Sequence, residues 1–463
     1  MKVLIAAPAA WLMLAAPGWA QEHQHQHEQT PQAAEQAPVE HDHSQMQHGD
    51  MDHGALVRED FEPISSLGPD VCFVSNLAGA LGQYPIARDA SGTSWQPGVW
   101  GGHAPGCHDG DWMVRSHLML NGVYAWSDGP RGDEKAFASG MAMTMARRSI
   151  GNSGLLTLRA MASPDPLMGA DGYPLLMAAG ESADGVEPLV DRQHPHDLFM
   201  ELSATYSHSI GELSSVFVYG GLPGEPAFGP PAFMHRLTAM DSPEAPLTHH
   251  WFDSTHVTFG VVTVGAIVER NWKVEASRFR GREPDENRYD IETGDLDSTA
   301  LRVSWNPTEN LSLQGSWADV TSPEALEPDE DEQRWSVSGI YTQRIADGWW
   351  STTVAFSNKE RSDGVSLDAW LVEAAWQPNA QWTVFGRVEA IETDELGLSH
   401  HGPVEDVARL SAGAVRDWRI NHLAAVGAGV VVQQHFASDE LEPLYGGDPQ
   451  GAMGFIRLKI GAH

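Results

Sequence analysis

The chain has 463 residues, and its 63 acidic side chains outnumber the 28 basic ones, which gives a formal net charge of −35. This charge excludes nucleic acid as a partner, because an acidic protein repels phosphate groups instead of releasing their counterions. The length exceeds that of a usual single soluble domain, but a large all-β barrel can reach this size as one domain. The composition therefore permits one large domain with a tail.

Residues 1–20, "MKVLIAAPAAWLMLAAPGWA", have the layout of a cleaved secretory signal peptide. One lysine precedes an apolar stretch, and small residues precede Gln21. We therefore expect the protein to leave the cytoplasm. No later segment contains the roughly 18 continuous apolar residues that a membrane-spanning helix requires, so the sequence predicts no helical membrane span.

Residues 21–60 are polar, contain proline and have few large apolar side chains, which predicts a disordered tail. Such a histidine-biased composition is typical of metal binding, although a merely hydrophilic linker remains the alternative. Imidazole suits copper, nickel and zinc, whereas thioether favours reduced copper. We therefore predict a copper ion as the ligand, with zinc or nickel as alternatives at the tail. The predicted tail ligands are His23, His25, His27, His41, His43, Met46, His48, Met51 and His53.

Residues 61–111 form a segment between the tail and the first strand. They contain Cys72 and Cys107, the only two cysteines of the chain. In an oxidising compartment such a pair predicts one disulfide, with two unpaired thiols as the alternative. The sequence leaves open whether this segment plugs the following domain or only precedes it.

From Trp112 to His463 the chain alternates apolar and polar residues, as half-buried strands do. In "WMVRSHLMLNGVYAW", for example, Leu118, Leu120 and Tyr124 share one face, and Arg115 and His117 share the other. The pattern predicts sixteen strands, near 112–126, 136–147, 154–163, 196–210, 213–221, 255–268, 271–281, 298–306, 310–318, 333–345, 348–358, 366–377, 381–392, 406–419, 421–436 and 450–461.

Short and long connections alternate between these strands, and an even strand count with this alternation is typical of a bacterial outer-membrane barrel. Several tryptophans lie near the short turns, where an interfacial girdle is expected: Trp272, Trp305, Trp349, Trp350, Trp376, Trp382 and Trp418. We therefore predict an all-β fold, a transmembrane antiparallel β-barrel of about sixteen strands, with twelve to eighteen compatible with the pattern. A secreted soluble sandwich or barrel is the alternative.

Assigning the apolar faces to lipid turns several methionines inward. Met141, Met143 and Met145 share a face with Arg147, and Met119 and Met161 occupy equivalent faces on the neighbouring strands. These methionines are candidate ligands for copper in a thioether patch, although plain packing explains a methionine stripe equally well.

The segment "DRQHPHDLFMELSATYSHS" places His194, His196 and Asp197 at the predicted outer end of a strand, with Met200 on its lipid face. The long connection two strands later adds Met234 and four histidines to the same rim: His235, His249, His250 and His256, the last on the lumenal face of the next strand. Imidazoles and a carboxylate could hold a metal ion, or could only pack a rigid loop. The prolines and glycines of "LPGEPAFGPP" favour an ordered constriction or lid.

The phrases "DRQHPHDLFMELSATYS", "GEPAFGPPAFMHR", "HHWFDSTHVTFGVVT" and "GREPDENRYD" resemble those of a largely uncharacterised group of outer-membrane β-barrel proteins. The likeness covers most of residues 112–345 and implies the fold but no agreed activity. The tail, with "HDHSQMQHGDMDHG", is similar in composition to the front end of copper resistance protein B. That second resemblance implies a place in periplasmic copper handling.

Three hypotheses about function follow. The first is an outer-membrane barrel for copper binding, export or resistance, whose periplasmic tail collects metal from periplasmic metal-carrier proteins. The second is a porin-like channel for another small solute. The third is an enzyme with a metal-dependent rim site at His194, His196, Asp197, Glu201 and His256, which is disfavoured because no "GxSxG" or "HExxH" motif occurs. Each hypothesis places the barrel in outer-membrane lipid beside lipopolysaccharide.

Overall fold

The computed structural model describes residues 72–73, 78–99, 106–109, 111–397 and 401–461. The predicted signal peptide, the tail and its metal ligands lie outside the described residues. None of the helices in these ranges is long and apolar enough to cross a membrane.

Sixteen long strands run through the described chain. In chain order they are β1 (Trp112–Ser127), β2 (Glu134–Ile150), β3 (Gly154–Ala162), β4 (Phe199–Ile210), β5 (Ser214–Gly221), β6 (Val261–Val268), β7 (Trp272–Phe279), β8 (Ser298–Thr308), β9 (Leu311–Val320), β10 (Glu332–Ile345), β11 (Gly348–Arg361), β12 (Ser366–Asn379), β13 (Trp382–Thr393), β14 (Glu405–Arg419), β15 (Ala424–Phe436) and β16 (Gln450–Ile460).

Each strand pairs antiparallel with its neighbours in the chain, and β16 pairs with β1 from Gly451↔Ser127 to Ile460↔Leu118. This last pairing closes the sheet into a barrel and leaves no free edge among the sixteen strands. The predicted all-β antiparallel barrel is therefore confirmed. The largest error in a predicted strand boundary concerns the 255–268 segment, which becomes β6 only at Val261, because residues 254–256 form a 3-10 turn.

The outer wall of the barrel is apolar. Valine, leucine and isoleucine side chains point outward along most strands, and exposed tryptophans flank them near the strand ends. Trp272 and Trp305, for example, are cross-strand neighbours whose rings stack 5.0 Å apart near the short turns. An apolar band between aromatic girdles is the surface that a transmembrane barrel presents to lipid. Trp349 is a correction to the predicted girdle: it is buried on the inner side, where its indole N–H donates to Gln377.

The connections confirm the predicted alternation. Turns of two to four residues join β2–β3, β4–β5, β6–β7, β8–β9, β10–β11, β12–β13 and β14–β15 at one end of the barrel. The connections at the other end include 163–198, 222–260 and 280–297. Short turns face the periplasm in barrels of this type, so the long connections lie on the outer side.

Two segments pack against the inner wall. The connection between β5 and β6, residues 222–260 (called the internal loop below), folds inward and contacts strands from β11 to β16. Residues 78–99 (called the inner segment) lie near the short-turn end, where Ser215 donates to the carbonyl of Leu81 and Arg344 to that of Val99. In the described part of the chain, two segments therefore occupy part of the barrel lumen.

Two short strands, Cys72–Phe73 and Gly106–Asp109, extend the sheet next to the start of β1. Their antiparallel register places Cys72 directly opposite Cys107. Directly opposed residues of an antiparallel pair have Cα atoms about 4.5–5.5 Å apart, which lies within the Cα range of about 4.4–6.8 Å for disulfides. The register is thus compatible with the disulfide, which stays a prediction.

Candidate functional site

Five histidines form one buried cluster inside the outer part of the barrel. His194 and His196 come from the connection between β3 and β4, and His249, His250 and His256 come from the internal loop. The ring centroids of neighbouring members lie 5.1–6.5 Å apart. The sequence predicted that these residues gather but placed them on the barrel's rim, with His256 on a strand. The structure corrects the second point, because His256 lies in a 3-10 turn of the internal loop that precedes β6.

Three carboxylates at the edge of the cluster contact Nδ1 atoms of its histidines. His196 Nδ1 lies 2.7 Å from Asp165 Oδ2, and His249 Nδ1 lies 2.8 Å from Asp253 Oδ1. His194 Nδ1 lies 3.2 Å from Glu181 Oε2. These carboxylates were not predicted, and no local sequence signal marks them, because each reaches the cluster through tertiary folding.

Burial controls the charge state of several cluster members. It lowers the pKa of His194, His250 and His256 well below the usual range, and neighbouring imidazoles and guanidinium groups add to the shift at His194. These three rings are therefore neutral at pH 7 and offer a lone pair. The positive φ of Gly180, +121°, brings its backbone against His250, where any added Cβ would lie 2.7 Å from the ring. The close approach explains glycine at this position.

Asp197 and His235 do not join the cluster. Asp197 lies 3.5 Å from Arg288, and burial raises its pKa to about 7 although the guanidinium opposes the shift. His235 lines a separate cavity, and burial lowers its pKa to about 3. Glu201, the carboxylate of the hypothetical enzyme site, accepts hydrogen bonds from Ser203 and Tyr219 on the barrel wall.

A methionine patch lies on the inner wall close to the histidines. Met141, Met143 and Met161 are buried there, as the strand alternation predicts, and they pack with Met200 and with Val257 of the internal loop. Met200 was predicted to face lipid. A β-bulge explains the difference, because the register steps from Met161↔Glu201 to Ala162↔Phe199 and leaves Met200 as the extra residue.

A cavity of about 470 Å³ extends from this patch to the periplasmic turn between β10 and β11. Cationic and anionic side chains share its wall, among them Lys459 and Asp241, beside His117 and His235. Its volume lies within the range of small-molecule sites. The methionines that line it are Met119, Met141, Met143, Met145, Met234 and Met240.

Ion pairs fix the internal loop across the lumen. Arg236 reaches Glu373 of β12 at 2.7 Å, and Asp241 reaches Arg457 of β16 at 2.5 Å. Glu244 lies 3.1 Å from Arg409 of β14. Buried charges are tolerated only when they are paired in this way, so these ion pairs fix the position of the loop against the barrel wall.

An acidic group lies in the outer connection 280–297. Ligand atoms of Asp285, Asp290 and Glu292 lie within 4.8 Å of one another, and Arg280 pairs with Glu292 at 3.1 Å. Of the three carboxylates only Asp290 is exposed, and Arg280 already offsets part of the charge of the group.

No family model matches this sequence, and no curated protein matches it. Solved structures similar to the chain include an anion-selective porin from Comamonas acidovorans, with 10% identity, 75% of this chain and 100% of the porin covered, and a TM-score of 0.45. OmpF of Salmonella typhi, solved with daunomycin, matches with 10% identity, 76% and 99% coverage and a TM-score of 0.46. OmpT of Vibrio cholerae matches with 9% identity, 76% and 98% coverage and a TM-score of 0.44. All three are outer-membrane barrels, and likeness at this level carries no argument about cargo.

Proposed function

We propose that the protein is an outer-membrane channel for a small solute, with its route through the methionine-lined cavity. The observation that carries the proposal is the cavity of about 470 Å³ inside a closed barrel, bounded by the internal loop on one side and reaching the periplasmic turns on the other. A cavity with both cationic and anionic side chains can accommodate a polar solute while the methionines contact its apolar part.

Electrical recording of the purified protein in planar lipid bilayers tests this proposal. Met143 lines the cavity, so Met143→Trp is expected to reduce the conductance at least several-fold by filling part of the route. Ala142, the next residue of the same strand, faces outward and is exposed, so Ala142→Trp is the matched control and leaves conductance unchanged. Equal conductance in both variants and the unchanged protein would contradict a route through the cavity.

A second candidate function is copper handling, and the methionine patch is the observation that favours it. Thioethers are soft ligands that prefer reduced copper, and Met141, Met143 and Met161 pack together beside the cavity. In this proposal the tail, residues 21–60, collects copper in the periplasm and the barrel exports it.

Copper flux into proteoliposomes, measured with ascorbate to keep copper reduced, separates the two candidates. Replacing Met141, Met143 and Met234 with leucine keeps a similar volume but removes three sulfur atoms. Loss of copper flux with unchanged salt conductance supports copper as cargo. Unchanged copper flux in the leucine variant would show that the methionines only shape a general route.

A further inference from the structure

The free nitrogens of the histidine cluster are the feature that the channel function does not use. Nε2 of His194, His196 and His256 is buried and has no hydrogen-bond partner. Each of these side chains is more than nine-tenths buried. A buried polar atom without a partner costs about 1–3 kcal/mol, and three such atoms in one cluster call for a ligand that can accept their lone pairs.

The opposite nitrogens are already oriented. Nδ1 of His196 meets Asp165 at 2.7 Å, Nδ1 of His249 meets Asp253 at 2.8 Å, and Nδ1 of His256 meets the Asp253 carbonyl at 2.6 Å. In metal sites a ligating histidine nearly always donates its second N–H to a carboxylate or carbonyl, which fixes the tautomer and leaves the other nitrogen for the metal. These three histidines have that arrangement.

Two of the ring spacings match those of a tetrahedral site, whereas the spacings to His194 are larger. With metal–nitrogen bonds of about 2.0–2.1 Å, the ring centroids of two ligating histidines lie about 5 Å apart. The centroids of His196 and His256 are 5.1 Å apart, and those of His249 and His256 are 5.2 Å apart. His194 is more distant, 6.1 Å from His249 and 6.5 Å from His196.

We propose that His196, His249 and His256, with His194 as the fourth ligand, bind one divalent transition-metal ion of the zinc, cobalt, nickel or copper class through Nε2. Imidazole nitrogens suit these ions, whereas magnesium and calcium prefer oxygen ligands. Binding requires the rings to move together, because among the described residues only Asp285, Asp290 and Glu292 already bring three ligand atoms within 4.8 Å of one another.

The bound ion would join two separate connections of the barrel. His194 and His196 precede β4, whereas His249 and His256 belong to the internal loop. Asp253 continues the link, because its carboxylate contacts both His249 and Arg236, which is paired with the far wall. The metal would therefore fasten the internal loop to the connection 163–198. This site does not depend on conduction through the barrel.

Cobalt titration of the full-length mature protein tests the site, in a background where the seven tail histidines are replaced by glutamine. Tetrahedral cobalt absorbs in the visible range, so one equivalent per chain with that spectrum is expected. His256→Gln is expected to weaken cobalt binding at least 100-fold. His208→Gln, on the exposed face of β4, is the matched control and leaves binding unchanged.

Asp165→Asn provides a second variant that keeps every proposed ligand. Loss of the carboxylate that orients His196 is expected to weaken cobalt binding about 10–100-fold. The heat-dependent gel mobility of the barrel shows that each variant is folded. Absence of a stoichiometric cobalt spectrum in the folded background protein, or equal cobalt affinity in His256→Gln and His208→Gln, would overturn the proposal.

Discussion

The guanidinium of Arg236 donates to both carboxylate oxygens of Glu373, at 2.7 and 3.0 Å, across the lumen of the barrel. The two residues are 137 positions apart in sequence, and both are almost completely inaccessible to solvent. Arg387 also contacts Glu373, at 2.8 Å. A bidentate ion pair of this kind fixes both the distance and the orientation of its two partners, so it sets the position of the internal loop in the lumen.

Replacing Arg236 with alanine is expected to loosen the internal loop. The change leaves the Glu373 carboxylate with Arg387 as its remaining charged partner, and breaking a buried pair costs about 3–5 kcal/mol. We expect larger and noisier single-channel conductance and faster proteolysis within residues 222–260.

Arg192→Ala is the matched control for this change. Arg192 pairs with Asp133 at 2.6 Å on the exposed outer side, where an ion pair contributes about 0–1 kcal/mol. If the single-channel conductance of Arg236→Ala has the same size and noise as that of the unchanged protein, other contacts are sufficient to hold the loop.

The strand pattern could be predicted from the sequence, whereas the packing of loops and side chains inside the barrel could not. Alternation marks strands because each side chain faces either lipid or lumen, and the two environments demand different chemistry. It does not show where a loop folds. In the sequence, Arg236 is only a polar residue of a loop, because its partner Glu373 comes near it only in the folded barrel. Likewise, the bulge that turns Met200 inward is invisible in a two-residue period.

The histidine cluster illustrates the same limit at the candidate site. The sequence places His194 and His249 at the same rim, because both lie in long connections at the outer end of the barrel. Their carboxylate partners are set by folding, because Asp165 lies 31 positions from His196. The 3-10 turn that carries His256 could not be predicted either, since the apolar residues next to it continue the alternation of β6.

Deleting the inner segment, residues 78–99, is expected to raise the conductance of the channel. Its backbone is held by wall residues near the short turns, including Arg159, which donates to the Gly92 carbonyl at 2.7 Å, and Asn306, which donates to the Gln96 carbonyl at 3.0 Å. The strand ladder does not pass through this segment, so the barrel can still close. Bilayer recording checks the size of the increase.

Deletion of residues 21–60 is the control for that experiment. This part of the chain lies before the inner segment, and its removal is expected to leave the conductance as it is. Equal conductance after both deletions, in proteins with normal heat-dependent mobility, would mean that the inner segment does not obstruct the route.

Oxidation of Cys72 and Cys107 to a disulfide is the expected state of the exported protein. The register places the two residues opposite each other in an antiparallel pair. The intact mass before and after reduction, combined with thiol labelling, checks the bond. Full labelling of both cysteines without reductant would exclude it. Cys72→Ser is the control, in which Cys107 is expected to be labelled with or without reductant.

Glu225 is expected to make the barrel's stability depend on pH. It lies in the internal loop against the inner segment, and burial raises its pKa to about 8, although Arg302 opposes the shift. The folded state therefore holds a proton that the unfolded state releases above a pH of about 4.5. Its contribution to stability is fully present below that value and is lost as the pH rises through about 8.

Thermal unfolding followed by gel mobility at pH 6, 7, 8 and 9 measures this dependence. Glu225→Gln imitates the protonated side chain, so its unfolding temperature should change less between pH 6 and 9 than that of the unchanged protein. Glu187→Gln removes an exposed carboxylate and is the matched control, for which the original pH dependence is expected. The same slope in all three proteins would show that Glu225 is ionised across this range, so that its pairing with Arg302 outweighs burial.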